Sequence, residues 1–197
     1  MDNVHKELTQ IQELVLDIQK VKRNHRIPDT EDRENVVEHS FTISMLCWKL
    51  FNDLKPNLNL EKILKYSLIH DFSERGQDYD VNTYASQEER LKKKDMEIEE
   101  IRKISQEFQY FDEMISLMND YNNLTDEESR FVWSIDKMQA MVLGGIDNWR
   151  PYELYGVTYE QFYKKGEEIL SQCSPCLVDV FREVVTQSRK TYYDQPK

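Results

Sequence analysis

Glu38-His39-Ser40-Phe41-Thr42-Ile43 is a polar triplet running into an apolar stretch with helical period, which extends over residues 35–54. On a 3.6-residue repeat His39 shares a row with Ile43, Leu46 and Leu50. Two further segments repeat this pattern. In the helix expected over residues 60–71, His70 lies in line with Ile63 and Tyr66, and Asp71 with Leu64 and Leu68. In the helix expected to run to about residue 143, Asp136 lies in line with Val132 and Leu143. Two histidines and two carboxylates therefore point along apolar rows toward a core. An ionised Asp is almost never fully buried unless it is paired or bound to metal. His39, His70, Asp71 and Asp136 make an N/O donor set for a divalent transition metal, with Mn2+, Co2+ or Fe2+ more natural beside imidazole than Mg2+. Taken singly, a histidine on an apolar row also reads as a satisfied core residue, and Asp136 as a salt-bridge partner of Arg23, Arg26 or Arg33.

The chain has 197 residues and few breakers, five Gly and five Pro. That suits one helical domain over residues 1–197, with its motif-bearing core at about 8–145 and a C-terminal helical extension at about 146–197. No apolar run approaches the ~20 residues a membrane span needs, and the charged, helical N-terminus does not resemble a signal peptide. The net charge of −11 argues against binding nucleic acid or an anionic membrane. A small phosphorylated substrate is compatible with it, because a metal and a few cations can reverse the field inside one pocket. Cys47, Cys173 and Cys176 suggest a reduced, cytoplasmic protein. Cys173-Ser-Pro-Cys176 reads as a helix connection broken by Pro175, since neither a thioredoxin context nor further zinc ligands lie nearby.

Helices are expected over residues 3–22, 35–54, 60–71, 86–107, 109–121, 125–143, 158–172 and 176–191, with no strands. Ser86-Gln-Glu-Glu89 and Thr125-Asp-Glu-Glu128 are capping boxes, and Gly144-Gly145 is expected to end its helix. The Lys92-Lys93-Lys94 run reads as a solvated face. Residues 72–85, with Gly76, Asp78 and Asp80, read as a loop directly after two ligand candidates, where function tends to sit.

The order His, His-Asp, then a distant Asp followed by Lys, on a helical chain, resembles the HD-domain phosphohydrolase superfamily, and within it the bacterial 5′-deoxynucleotidase-like group. Arg33-Glu-Asn-Val-Val-Glu-His-Ser40 resembles the first motif of that group. Leu68-Ile-His-Asp-Phe-Ser-Glu74 resembles the second, and Arg130-Phe-Val-Trp-Ser-Ile-Asp-Lys137 the third. Asp80-Val81 resembles the acid that follows the second motif, with Asp78 as an alternative. The likeness spans roughly residues 8–145.

It implies an all-α bundle and a divalent metal held by His39, His70, Asp71 and Asp136. It also implies a nucleotide phosphate met by Arg23 or Arg26, with Lys137 as a further cation. Glu74 would orient water or protonate the leaving alkoxide, beside Asp80. The leading expectation is a 5′-nucleotidase acting on (deoxy)nucleoside 5′-monophosphates. A phosphodiesterase or pyrophosphohydrolase on a signalling nucleotide is the enzyme alternative, and a non-catalytic nucleotide- or partner-binding module the other. The aromatic C-terminal segment is expected to pack on the core or to form a homodimer interface.

Overall fold

Capping boxes set where the long helices begin. Asn35 accepts from the backbone of Val37 and Glu38, and Glu38 accepts from Asn35, which starts α2 (Val36–Leu54). Ser86 and Glu89 do the same for α4 (Gln87–Glu107), as expected. The third box sits one residue beyond its expected place: Asp126, paired with Ser129, caps α6 (Glu127–Ile146). The displacement has a local cause. α5 (Asp112–Asn123) ends at Leu124, which has positive φ. Thr125 is used in closing that end, its N–H and its hydroxyl both reaching Asp120.

The computed structural model describes residues 2–77 and 84–194, and its fold is an all-α bundle. The remaining helices are α1 (Asp2–Gln19), α3 (Leu60–Ile69), α7 (Arg150–Leu154), α8 (Tyr159–Leu170) and α9 (Val178–Tyr192). Single 3-10 turns lie at Phe72–Glu74 and Pro175–Leu177. Among the described residues no helix is long and apolar enough to cross a membrane.

Three expectations about local structure need correction. The basic connection after α1 is a small antiparallel hairpin of β1 (Lys22–Arg26) and β2 (Arg33–Asn35). Asp29, at φ 62°, turns the chain between the two strands. The strands are short and polar, so they carry no alternation to read. α7 was not expected; five residues are too few to show a period. Gly144-Gly145 does not stop α6. A Cβ on Gly144 would lie 3.1 Å from the Tyr152 ring and 3.4 Å from Trp149. The glycine thus serves close packing of the next two turns rather than a helix end.

Two apolar clusters fill the bundle. One joins α2, α3 and α6 through Ile43, Cys47, Ile63, Tyr66, Phe131 and Ile135. Trp149, Tyr152, Phe162 and Phe181 belong to the same cluster, so residues beyond 146 contribute directly to this core. The other joins α1, α4 and α5 around Leu14, Ile18, Ile101, Ile104 and Met114. Phe41, Met45 and Trp48 are exposed, on the outer face of α2.

Asp126 also ties α6 to α3. Its Oδ2 accepts from Lys62 Nζ at 2.6 Å and from Tyr66 Oη at 2.7 Å. Burial opposes its ionised form, but these bonds and those of Ser129 outweigh that and pull the carboxyl down to about 2. A depressed carboxyl stabilises the fold above its unfolded pKa, near 4, and loses that contribution as pH falls through about 2. Asp126→Asn keeps a good N-cap and removes the charge. The variant is expected to be less stable than the wild type by about 1–2 kcal/mol near neutrality, with the gap closing between pH 4 and 2. Urea titrations across that range check it; a gap independent of pH would sink the assignment.

Candidate metal centre and active-site cleft

His39 sits in the first turns of α2 and is fully buried. Its Nε2 lies 3.0 Å from Asp136 Oδ1 and 3.7 Å from Asp71 Oδ2. Its Nδ1 faces Glu34 Oε2 of β2 at 3.6 Å. His70 caps the C-terminus of α3, and its Nδ1 is 3.0 Å from the Ser67 carbonyl. A carbonyl only accepts, so Nδ1 carries the proton and donates. His70 Nε2 is buried without a hydrogen-bond partner and is 3.3 Å from Asp71 Oδ2. The two imidazole centroids are 5.1 Å apart.

Ligand atoms of His39, His70 and Asp136 all lie within 4.8 Å of one another. These three residues could hold a metal ion. An imidazole nitrogen directed at buried carboxylates, with its other nitrogen fixed by a backbone carbonyl, fits a divalent transition metal. Asp71 stands beside this triplet, its Oδ2 taken by Arg23 Nη1 at 2.7 Å. It does not arrive along the expected apolar row, since Leu68 is exposed. α3 stops at Ile69, and the turn that follows swings Asp71 inward.

The charges hold one another. Burial opposes the ionised form of Asp136, but Lys137, His39 and Arg23 keep its carboxyl well below the usual range. Burial likewise opposes ionised Asp71, and His70, Arg23 and His39 reverse the effect. Burial alone would lower the His70 imidazole, yet Asp71 raises it. Lys137 donates to Asp136 Oδ2 at 2.7 Å. Arg23 is buried at the centre, with Nη2 3.8 Å from Asp136 Oδ1 and Nε 3.7 Å from Glu34 Oε2.

Above the cluster opens a cleft of about 400 Å³, lined by Arg23, His70, Asp71, Glu74, Asp136 and Lys137 among others. Glu74 lies in the 3-10 turn after Asp71 and is 3% exposed, which rules out a solvated loop-edge carboxylate. Lys93 of α4 donates to its Oε1 at 2.6 Å. Lys93, read from the sequence as part of a solvated run, thus belongs to the site. Arg26 does not line the cleft; it pairs with Glu31 on the hairpin. Asp80 and its alternative Asp78 lie outside the described residues.

Glu34 is a site residue that sequence reading missed. It is buried behind His39 and Arg23, in the place of an outer carboxylate that orients a ligand imidazole. It stands inside the first motif, Arg33–Ser40, where the sequence reading gave it no role of its own. Glu34→Gln is expected to weaken metal binding by about 10–100-fold while preserving the fold. Competition against a metallochromic chelator checks this, and unchanged affinity would remove Glu34 from the site.

This arrangement is that of an HD domain. The sequence matches the HD-domain family over residues 16–177, and the chain belongs to that family. Among solved structures, it is similar to a predicted metal-dependent phosphohydrolase from Magnetospirillum magnetotacticum MS-1, with a TM-score of 0.78 and 19% identity over 96% of each chain. It is also similar to a conserved hypothetical protein from Pyrococcus furiosus, with a TM-score of 0.59 and 21% identity over 90% of this chain and 98% of that one. No curated protein matches the chain.

Proposed function

We propose that this HD-domain protein is a metal-dependent phosphohydrolase, and specifically a phosphomonoesterase that releases phosphate from (deoxy)nucleoside 5′-monophosphates. The observation that carries the reading is the convergence of His39, His70 and Asp136 within 4.8 Å at the floor of a cation-lined cleft. The name of the structurally similar Magnetospirillum protein accords with it. His39, His70 and Asp136, with Asp71 beside them, would hold the ion. Two imidazole donors favour Mn2+, Co2+ or Fe2+ over Mg2+. When bound, the ion supplies Lewis acidity and a water of lowered pKa.

The chain's own groups account for the rest. Arg23 and Lys137 present N–H donors to the phosphate oxygens, offsetting charge that grows as the ester is attacked. Water oxygen bonds to phosphorus, the P–O bond to the nucleoside breaks, and the leaving alkoxide takes a proton. In this reading Glu74 orients that water, takes its proton and passes it to the alkoxide. Its carboxylate is held toward the cleft by Lys93 rather than spent as a ligand.

The test is phosphate release from a panel of nucleoside and deoxynucleoside monophosphates with Mn2+ or Co2+. Turnover of at least one, abolished by EDTA and restored by metal, is expected. Metal retention with no hydrolysis of any phosphoester would overturn the reading and favour a non-catalytic nucleotide-binding module.

A further inference from the structure

The charge of the cleft is opposite to that of the chain. The protein carries a net −11, yet the cleft is lined by six Arg or Lys side chains and only four carboxylates. The six fall into two groups. Arg23, Lys137 and Lys93 are engaged by the site's own acids, Asp71, Asp136 and Glu74 respectively, and Lys165 by Glu168. Arg90 and Lys94 line the same cleft, and their side chains make no hydrogen bond or ion pair among the described residues.

Their placement follows from the helix. Positions 90, 93, 94 and 97 of α4 fall on one face, and Arg90, Lys93, Lys94 and Glu97 all line the cleft. The buried residues of α4 lie only in its second half, at Glu100, Ile101 and Ile104. Its first half thus forms a wall of the cleft and not part of the core. In the second half cations are paired locally, Arg102 with Glu99 and Lys103 with Glu100. Arg90 and Lys94 have no such partner, although acids flank them in the sequence. An unpaired guanidinium and ammonium one turn apart, facing a concave site beside a phosphate-binding centre, form a receptor for another dianionic group.

Resting on the phosphohydrolase reading, we propose that the α4 wall of the cleft is a second anion subsite. Arg90 and Lys94 hold a further phosphoryl group of the substrate while its reacting phosphate lies at Arg23 and the metal centre. Within the phosphohydrolase class the cleft then prefers, over simple 5′-monophosphates, a nucleotide with a second phosphoryl group, carried either in one chain as a 5′-diphosphate or on two hydroxyls as a 3′,5′-bisphosphate. The subsite selects the substrate and takes no part in bond breaking.

The experiment compares AMP, ADP and adenosine 3′,5′-bisphosphate on the Mn2+-loaded enzyme. It uses the wild type and the double variant Arg90→Ala/Lys94→Ala. Both residues are exposed on a helix, and Ala favours helix. In the wild type, kcat/KM for one doubly phosphorylated nucleotide is expected to exceed that for AMP by about tenfold or more, as two charge-assisted contacts would give. The double variant should lose most of that ratio, chiefly through KM. The preferred member of the pair tells which arrangement the cleft takes. A wild type indifferent to the second phosphate, or a ratio unchanged in the variant, overturns the subsite. If no ester is hydrolysed, the functional reading fails. The subsite is then still decided by calorimetry with the same three nucleotides: tighter binding of a doubly phosphorylated one, lost in the variant, supports it, and equal affinities refute it.

Discussion

Glu74→Gln is expected to keep its metal and its nucleotide affinity and to lose turnover by at least about a hundredfold, within the 10²–10⁴ range typical of general acid–base catalysis. The substitution retains shape and removes the ionisable group. Glu74 is 3% exposed, accepts from Lys93 and lines the cleft. The cost therefore falls on proton handling rather than on assembly of the metal centre. Single-turnover rates with saturating Mn2+, together with metal content by elemental analysis, separate the two. A variant that turns over at the wild-type rate would strip Glu74 of this role. A variant that loses metal as well would make it structural.

The other large effect concerns Asp136. Asp136→Ala removes a buried carboxylate that is not held in a short ion pair by Arg23 and that lies within 4.8 Å of both imidazoles, and metal affinity should fall by more than about a hundredfold, beyond the loss typical of outer partners. It also deprives Lys137 of its anion and Arg23 of one of its neighbours. Asp71→Ala, which removes an acid standing beside the triplet, is expected to have a smaller effect on metal retention than Asp136→Ala. Elemental analysis of the two purified variants ranks them. Full occupancy in Asp136→Ala would sink the assignment.

What the sequence revealed and what it hid divide along physical lines. His39 and His70 were legible because each shares a helical row with residues that are fully buried, Ile43 in one case and Ile63 and Tyr66 in the other. Asp136 was legible for the same reason through Val132. Asp71 was picked out for a row whose Leu68 proved exposed. It reaches the cluster because α3 ends before it, and a period cannot foretell its own termination. Lys93 was hidden because its partner Glu74 comes from another segment, and Glu34 because a short polar strand has no apolar row to mark it as buried. Local composition marked Lys93 as solvated, and only the packing of α4 against the turn at Phe72–Glu74 shows otherwise. Among the helix ends, the Ser86 box was read correctly. The Thr125 box was shifted because Thr125 is already engaged by Asp120. Gly144 misled because a glycine that admits a neighbouring ring looks in sequence like one that breaks a helix.

Arg23 has a consequence for the order of events in the life of the chain. Buried acids crowded around two imidazoles would repel one another if nothing positive lay among them. Here a guanidinium, charged at any physiological pH, already sits against Asp71 and near Asp136 and Glu34. The polypeptide thus carries its own counter-ion within the fold, and the metal-free chain is expected to fold without an inorganic one; loss of the helical circular-dichroism signal in EDTA would refute this.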